Sequence, residues 1–385
     1  MSPRPRFTSK LTRARNAVLG VILRPFRLFS AASQFVIGFV SLVIVTTLLV
    51  LKWPPSLSSA RWLVLVIASY FILWRLVDRH ASGVELSVSN RRAFALAGSA
   101  IMVETAMMRL GFMLAASVSA ESIGPPFNDA AIWKFAIPFA AASLLVTMLI
   151  DRQIGMITGV IAAAFAGLLA PHGAQTAVYA LVSCAAAVYG IKHYRERQSV
   201  TLAGLVVAGV NAITAVALIV STPQSRTMKG ALLASGCGIA SGLLTIIFAS
   251  GGVPINESLF GILTDMRLLE LSNADIPVLN QLALRAPGTN QHSHAVSQLA
   301  EDACRAVGAN ALLARIGSLY HDIGKVAAPD HFVENQTGAN PHDRLRPAAS
   351  AKIITSHVTY GLKLAKEIGL PKQIADFIPQ HHGTR

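Results

Sequence analysis

Histidine is concentrated in one part of this sequence. Eight of its eleven histidines lie between residues 292 and 382 of the 385-residue chain, several of them beside an aspartate or another histidine. Imidazole suits transition-metal ions, and a carboxylate can bridge two of them. Helical proteins build dinuclear metal sites from such side chains when they project inward from several helices. The pattern therefore predicts a metal centre with these ligands: His292, His321, Asp322, His357, His381 and His382.

The other histidines of this region are not expected to bind metal. His294 lies two positions from His292, so on a helix it points in another direction. His331 and His342 lie in a predicted loop rich in Asn, Pro and Gly. A single buried histidine is more often a hydrogen-bonding group than a ligand.

Lys325 follows the His321-Asp322 pair by about one turn. Its ammonium can contact a phosphate oxygen as a point charge, which favours a catalytic role. The alternative is a lysine that only interacts with the dipole at the C-terminus of a helix.

Helices are predicted to carry these residues. The first follows a turn at 287–289, has Thr289 or Asn290 as its N-cap, and places His292 on one face with Val296, Leu299, Ala303 and Val307. Further helices are predicted over 310–323, 347–368 and 371–381, with an irregular loop at 327–346. Since no strand pattern occurs, this domain is predicted to be all-α.

Composition separates this polar region from the rest of the chain. The chain is 53% hydrophobic and 14% charged, whereas soluble domains carry about 25% charged residues. Residues 1–269 hold 22 basic and 9 acidic residues, and residues 270–385 hold 11 and 10. A basic excess among apolar segments fits loops at a membrane surface better than nucleic-acid binding. The composition therefore excludes a disordered chain and favours a membrane protein over an ordinary soluble enzyme.

Eight apolar segments approach the length of about 20 residues that a membrane-spanning helix needs. We interpret the first, after a basic stretch, as an uncleaved span rather than a signal peptide. The loops at 75–92 and 192–197 are basic, whereas the loop at 118–132 has no Lys or Arg. Because basic loops remain in the cytoplasm, both chain ends are predicted to be cytoplasmic. Arg226 and Lys229, in a loop on the other side, are a mild signal to the contrary. The eight segments are 34–51, 62–77, 93–117, 133–150, 154–170, 174–191, 199–221 and 230–251.

Glu104 and Arg109 lie inside the third predicted span. Ionisable residues are costly there, about 2.5–3.5 kcal/mol each on insertion scales, and often functional. Five residues apart on one helix, they point in different directions, so each is expected to meet a different neighbour. We favour a role in helix packing, and a ligand or signalling role is the alternative.

The sequence resembles the HD-domain metal-dependent phosphohydrolases at His321-Asp322 followed by Gly324-Lys325. Further residues are similar to the membrane-bound seven-transmembrane-receptor HD family of the PgpH type, strongly after residue 257 and weakly in the spans. These residues are Ala286-Pro287-Gly288-Thr289 with His292-Ser293, Glu334-Asn335-Gln336, Asn340-Pro341-His342-Asp343, Ser356-His357-Val358 and His381-His382-Gly383-Thr384.

The resemblance implies a phosphodiesterase that hydrolyses a cyclic dinucleotide, cyclic di-AMP, to the linear dinucleotide in signalling. It implies a dinuclear Mn or Fe centre, with Asp322 and Lys325 as catalytic residues. His292, His321 and a shared Asp322 would hold one metal, and His357, His381 and His382 the other. The expected partners are the cyclic dinucleotide and the lipid bilayer, without a nucleic acid polymer, and a homo-oligomer is left open.

The expected organisation is an all-α chain in the inner membrane. It comprises a basic cytoplasmic N-terminus (1–33), a transmembrane domain (34–251), a connecting helix (252–275) and a cytoplasmic HD metal-dependent phosphohydrolase domain (276–385).

Three features depart from the family pattern. Only about ten residues separate the first two spans, where the family has a large extracellular domain. Asn290 and Gln291 stand where aromatic and histidine residues usually precede the first ligand. The family also supplies a metal-binding aspartate beyond the His-His pair, which has no counterpart before Arg385. Because of this missing ligand, the alternative function is a non-catalytic membrane receptor or nucleotide-binding module with a C-terminally incomplete HD site.

Overall fold

The computed structural model of this chain describes residues 31–51, 60–81, 89–170, 173–191, 198–221 and 227–383. Over these residues it contains helices and turns but no strand, which confirms the all-α fold class. Contacts divide the chain into two compact units, one over Phe29–Ile262 and one that includes the residues from Leu263 onward. The finer division expected from the sequence stays a prediction. The N-terminal basic residues and Lys192, Arg195, Arg197 and Arg226 lie outside the described residues.

The first unit has a helix at each of the eight apolar segments. Among the described residues, five of these helices (α3, α4, α5, α7 and α8) are long and apolar enough to cross a membrane. Large apolar side chains point outward from the unit, such as Leu48 and Ile213, which suits contact with lipid. The chain is thus a multi-pass membrane protein, and the count of eight spans stays a prediction. The helices are α1 (Ala31–Val50), α2 (Ala60–Ala81), α3 (Asn90–Glu121), α4 (Ala130–Leu149), α5 (Arg152–Leu169), α6 (Gly173–Gly190), α7 (Gln198–Val220) and α8 (Met228–Phe260).

Helix α4 is broken in the middle. A turn of 3-10 helix at Lys134–Ala136 precedes Pro138, and a regular helix resumes at Ala141–Leu149. Proline restricts the residue before it to extended backbone, which accounts for the break. Backbone carbonyls without helical partners are costly at membrane depth, so they are tolerated only where protein groups satisfy them.

Side chains of α6 and α8 supply these missing hydrogen bonds. The Tyr179 hydroxyl donates to the Phe135 carbonyl (2.9 Å), and the Ser241 hydroxyl donates to the Ile137 carbonyl (2.7 Å). The Cys184 thiol donates to the Phe139 carbonyl at 3.2 Å. The break is therefore satisfied by polar side chains buried between helices.

Glu104 and Arg109 each meet a different neighbour, as the packing interpretation expects. The Ala142 N–H, in the first turn after the break, donates to Glu104 Oε2 at 2.9 Å. Arg109 donates to the carbonyls of Leu49 and Leu51 at the end of α1, the second at 2.9 Å. Thus α3 contributes Glu104 as a hydrogen-bond acceptor at the second half of α4 and Arg109 as a donor at the end of α1. Glu104 Oε1 is buried without a hydrogen-bond partner among the described residues.

The second unit consists of short helices around an apolar core. Its regular helices begin with α9 and end with α15, and Leu268, Leu282, Ile316, Ile323 and Ile378 lie at the centre of the core. The helices are α9 (Asp265–Leu271), α10 (Pro277–Arg285), α11 (Pro287–Ala306), α12 (Ala311–Tyr320), α13 (Pro347–Ile368), α14 (Lys372–Ala375) and α15 (Phe377–Gln380).

Residues 252–275 do not form the single connecting helix that the sequence suggested. Helix α8 ends at Phe260 because Gly261 adopts the left-handed conformation (φ +64°), which favours glycine. A new helix, α9, begins after Thr264, whose side chain accepts from the Arg267 N–H.

The start and the buried face of α11 also differ from the prediction. The helix begins at Pro287, a favoured first position for proline, so neither Thr289 nor Asn290 is its N-cap. Its buried residues are Thr289, Ser293 and Ser297. Two apolar positions of the predicted face are exposed, Leu299 at 71% and Val307 at 79%.

Replacement of Glu104 by Ala removes the acceptor for the Ala142 N–H. We expect Glu104→Ala to lower the free energy of unfolding by about 1–3 kcal/mol, because a buried donor loses its partner. Glu104→Gln keeps an acceptor oxygen and is expected to lose less. The measurement is unfolding of the full chain in detergent, with Glu121→Ala, an exposed position at the end of α3, as control. Equal stability of Glu104→Ala and the parent chain would contradict the capping role.

Candidate metal centre

Four helices bring the predicted ligands together. Helix α11 carries His292, α13 carries His357, and α15 ends just before His381-His382. Helix α12 is capped at its start by Asn310, which accepts from the Leu313 N–H, and it ends at Tyr320, just before His321-Asp322. The Tyr320 hydroxyl donates to the Leu271 carbonyl at 2.7 Å, which fixes this end of α12 against α9.

The turn after Asp322 lies directly against α13. A 3-10 helix at Ile323–Ala327 follows the aspartate, and a Cβ atom on Gly324 would lie 1.8 Å from the carbonyl oxygen of His357. Only glycine allows this approach of two backbones. The turn therefore places Asp322 beside the histidine of α13.

Asp322 lies between two groups of histidines. Its Oδ2 atom is 3.0 Å from His321 Nε2 and 4.0 Å from His292 Nε2. Its Oδ1 atom is 3.6 Å from the Nε2 atoms of both His357 and His381. Oδ1 is buried and has no hydrogen-bond partner among the described residues. Each oxygen thus faces a different group.

All six predicted residues belong to these two groups. His292, His321 and Asp322 form one, and His357, His381 and His382 form the other. In each group the ligand atoms lie within 4.8 Å of one another, so each can hold a metal ion.

Hydrogen bonds to the backbone orient the imidazoles. The Nδ1 atoms of three histidines contact carbonyls one turn earlier: His321 with Ser318 at 2.7 Å, His381 with Phe377 at 3.2 Å, and His357 with Ile354. A proton on Nδ1 leaves the lone pair on Nε2, as is usual for metal-binding histidines.

The Nε2 atoms of the second group approach one another closely. His357 Nε2 lies 3.4 Å from His381 Nε2 and 3.0 Å from His382 Nε2. With the proton of each ring on Nδ1, the Nε2 lone pairs converge and can share a cation. This donor set, together with the unpartnered Asp322 Oδ1, fits a pair of transition-metal ions.

The charge states of Asp322, His381 and His382 suit metal binding. Burial raises the pKa of the Asp322 carboxyl, but the hydrogen bonds and charges of His321 and Lys325 outweigh it and hold this pKa well below its usual range. Burial lowers the pKa of both His381 and His382. Near neutral pH the carboxylate is therefore ionised and these two imidazoles are neutral, as metal ligands must be.

The centre has a buried floor and an exposed rim. The side chains of His321, Asp322 and His357 are 3–8% exposed, whereas His292 is 47% exposed. His382 is exposed as well. A metal ion held here would thus be reachable by a ligand from the side of His292 and His382.

Lys325 lies at the edge of this centre, in a network that the sequence did not predict. Its Nζ atom is 2.8 Å from Asp322 Oδ2 and 2.8 Å from Glu334 Oε1. Burial lowers the pKa of Lys325, but its hydrogen bonds to the two carboxylates outweigh this and raise it. The sequence alone places Glu334 only among the residues that resemble the family. Its contact with Lys325 could not be predicted, because nothing in the sequence pattern brings the loop at 332–335 to Lys325.

The other three histidines of residues 292–382 lie outside both groups. His294 is exposed. His342 Nε2 is 2.8 Å from the carbonyl oxygen of His331, and its Nδ1 contacts the Ser350 hydroxyl. These contacts agree with the expectation that the three are not ligands, which stays a prediction.

A helical domain with an adjacent His-Asp pair between two ligand groups, on a chain with membrane-spanning helices, defines a membrane-bound HD-domain protein. The family model described as 7TM receptor with intracellular HD hydrolase matches residues 56–264, and the HD domain model matches residues 289–385. The chain belongs to this 7TM receptor family, which confirms the resemblance seen in the sequence. Among the described residues, the first match contains the seven helices α2 to α8.

Two curated relatives each match 65% of this chain. The cyclic-di-AMP phosphodiesterase PgpH of Bacillus subtilis (strain 168) is 37% identical over 259 residues, which are 65% of this chain and 36% of that protein. PgpH of Listeria monocytogenes serotype 1/2a (strain 10403S) is 36% identical over 253 residues, 65% of this chain and 35% of that protein. The chain spans about a third of the length of these relatives.

This chain is also similar to a solved structure, the HD domain of L. monocytogenes PgpH in complex with cyclic-di-AMP. It shares 49% identity with this chain, covering 30% of this chain and 54% of that one, with a TM-score of 0.29.

A methyl group on Gly324 would collide with the backbone of α13 at His357. We expect Gly324→Ala to lower the free energy of unfolding by roughly 1–3 kcal/mol, the cost typical of overpacking, and to reduce bound metal. Gly338→Ala is the matched control, because nothing lies within 4 Å of its Cβ position. Unfolding curves and elemental analysis measure the two effects. If the two variants behave alike, the turn does not need glycine.

Proposed function

We propose that this protein is a membrane-anchored, metal-dependent phosphodiesterase that hydrolyses a cyclic dinucleotide, cyclic di-AMP, to the linear dinucleotide. The observation that carries the proposal is Asp322, whose two carboxylate oxygens each face one group of histidines. The names of the two PgpH relatives support the choice of substrate.

The proposed cofactor is a pair of Mn or Fe ions. His292, His321 and Asp322 would hold one ion, and His357, His381 and His382 the other, with Asp322 shared between them. Imidazole and carboxylate ligands suit both metals. When bound, such a pair supplies Lewis-acid activation of water and of the phosphodiester.

The chain's own residues orient the reaction. The buried floor fixes Asp322, because a carboxylate that is 3% exposed and hydrogen-bonded has little freedom to move. The exposed rim at His292 and His382 leaves an open side for a phosphodiester. Lys325 carries a positive charge at the edge of the centre and can donate a hydrogen bond to a phosphate oxygen.

The proposed location of the HD domain is the cytoplasm, and the proposed membrane is the inner membrane. Arg75 and Arg79 lie near the C-terminus of α2, and Arg91 and Arg92 lie in the first turn of α3. The 122–129 connection lacks Lys and Arg. Basic loops remain on the cytoplasmic side.

The alternative is a membrane receptor that binds a nucleotide without cleaving it. It is favoured if one of the two ligand groups fails to hold its metal. The prediction on hydrolysis separates the two.

Metal content tests the ligand set. The double substitution His321→Ala with Asp322→Ala is expected to remove most Mn or Fe from the purified full chain, because both groups lose a donor or the bridging carboxylate. His294→Ala is expected to retain it, because this exposed residue lies outside both groups. Elemental analysis decides, and unchanged metal in the double variant would show that the ligands are misassigned.

Hydrolysis tests the function itself. The full chain in detergent with Mn is expected to convert cyclic di-AMP to the linear dinucleotide, resolved by chromatography. Asp322→Asn should slow this at least about 100-fold, since loss of the bridging carboxylate misplaces the reacting groups. Asp343→Asn, at an exposed aspartate, is the control. Nucleotide binding without product would favour the receptor alternative.

Reporter fusions test the orientation. Fusions after Arg197 and after Ser272 are expected to report the cytoplasmic side, and a fusion after Asn128 the opposite side. An external signal from the Ser272 fusion would place the HD domain outside and overturn the proposed location.

A further inference from the structure

The ammonium of Lys325 occupies an oxygen that the metal centre needs. Lys325 Nζ lies 2.8 Å from Asp322 Oδ2, the same atom that lies 3.0 Å from His321 Nε2 and 4.0 Å from His292 Nε2. This oxygen is the one that would serve the His292 group as its carboxylate ligand. An ammonium and a metal ion compete for it, because both are cations that bind the same lone pairs.

Glu334 offers Lys325 a second acceptor at the same distance. Glu334 Oε1 lies 2.8 Å from Lys325 Nζ, and its side chain is more exposed than that of Asp322, at 24% against 3%. The ammonium can therefore leave Asp322 Oδ2 without losing all charge-assisted hydrogen bonding.

Glu334 is itself held by the start of α11. The Thr289 hydroxyl donates to Glu334 Oε1 at 2.9 Å, and the Thr289 N–H donates to Asn335 Oδ1 at 3.0 Å. Asn335 Nδ2 donates back to the Thr289 hydroxyl at 2.7 Å. Because Thr289 lies one turn before His292, these bonds fix the carboxylate relative to the helix that carries a ligand.

The neighbouring Phe332 limits where the ammonium can move. Its ring lies 4.9 Å from Lys325 Nζ and packs edge-on against His357, with ring centroids 5.8 Å apart. The ammonium is thus bordered by an aromatic face, by Asp322 and by Glu334, and it stays beside the centre when it leaves Asp322.

We infer that Glu334 is a positioning residue that holds the Lys325 ammonium at the edge of the centre, so that Asp322 Oδ2 is released to a metal ion while Lys325 remains ready to contact a phosphate oxygen. Only the second part of this role, the contact of Lys325 with a phosphate oxygen, rests on the proposed function. The first half concerns metal affinity, which is measured without substrate.

The experiment compares Mn affinity of the full chain in detergent, stripped with a chelator and titrated against a fluorescent metal indicator. The variants are Glu334→Gln, Lys325→Ala and the two combined. Without the Glu334 charge, Lys325 stays on Asp322, so Glu334→Gln should weaken Mn binding about 10-fold, within the range for groups that support metal ligands. Lys325→Ala removes the competitor and should bind Mn at least as tightly as the parent chain.

The combined variant carries the decision. If Glu334 acts through Lys325, Glu334→Gln has no effect on Mn affinity once Lys325 is Ala, because interacting residues are not additive. An equal loss of affinity in both backgrounds, or no loss in Glu334→Gln alone, would overturn the inference. Asp330→Asn, at an exposed carboxylate of the same loop, is the control and should leave Mn affinity unchanged.

A second measurement separates this inference from the proposed function. With saturating Mn and cyclic di-AMP, Glu334→Gln should lower kcat about 10-fold or more, since the misplaced ammonium no longer meets the phosphate, with a smaller change in KM. The same substitution should not lower kcat further in the Lys325→Ala background. If the parent chain binds Mn but hydrolyses nothing, the proposed function fails, and the Mn titrations still decide the role of Glu334.

Discussion

A buried carboxylate is the constraint on which the second unit depends. Asp322 is 3% exposed, and an ionised group so far from water must be compensated by opposite charge and hydrogen bonds. His321 and Lys325 do this for Oδ2, whereas Oδ1 faces His357 and His381 without a hydrogen bond. The fold holds this half-satisfied group in place through the backbone contact at Gly324. Such an arrangement is costly for stability alone, and it is what a bridging metal ligand requires.

In the membrane unit, buried polar groups are also compensated by hydrogen bonds, but the outcome there is different. Pro138 breaks α4 in the buried interior of the unit, and the carbonyls that the break releases accept from Tyr179, Cys184 and Ser241. Glu104 completes the set at Ala142. These buried side chains form hydrogen bonds with backbone groups of a neighbouring helix, so they specify which helices pack together. In the second unit the polar groups converge and leave lone pairs unused, which is the difference between a packing device and a binding site.

Much of the site could be predicted from the sequence because its signals are local. The adjacent pair at His321-Asp322 and the pair at His381-His382 are visible in the sequence, and α13 has the predicted limits of 347–368. The start of α11 was misplaced because Pro287 begins the helix by itself and Thr289 is used elsewhere. The role of Glu334 could not be read from the sequence, because its contact with Thr289 joins residues 45 positions apart. The break in α4 had a local signal, Pro138, but its hydrogen-bond donors lie on α6 and α8.

The network around Lys325 suits the proposed metal centre both without metal and with metal bound. A buried carboxylate without metal needs positive charge and hydrogen bonds to keep it ionised, and His321 and Lys325 supply them. With metal bound, the same ammonium would be repelled unless a second carboxylate retained it, and Glu334 lies at hydrogen-bond distance to do so. Because Glu334 is fixed to α11 by Thr289, a shift of the helix that carries His292 also shifts the acceptor of Lys325. In the role proposed for Glu334, metal binding and the position of the Lys325 charge are thus coupled through one turn of one helix.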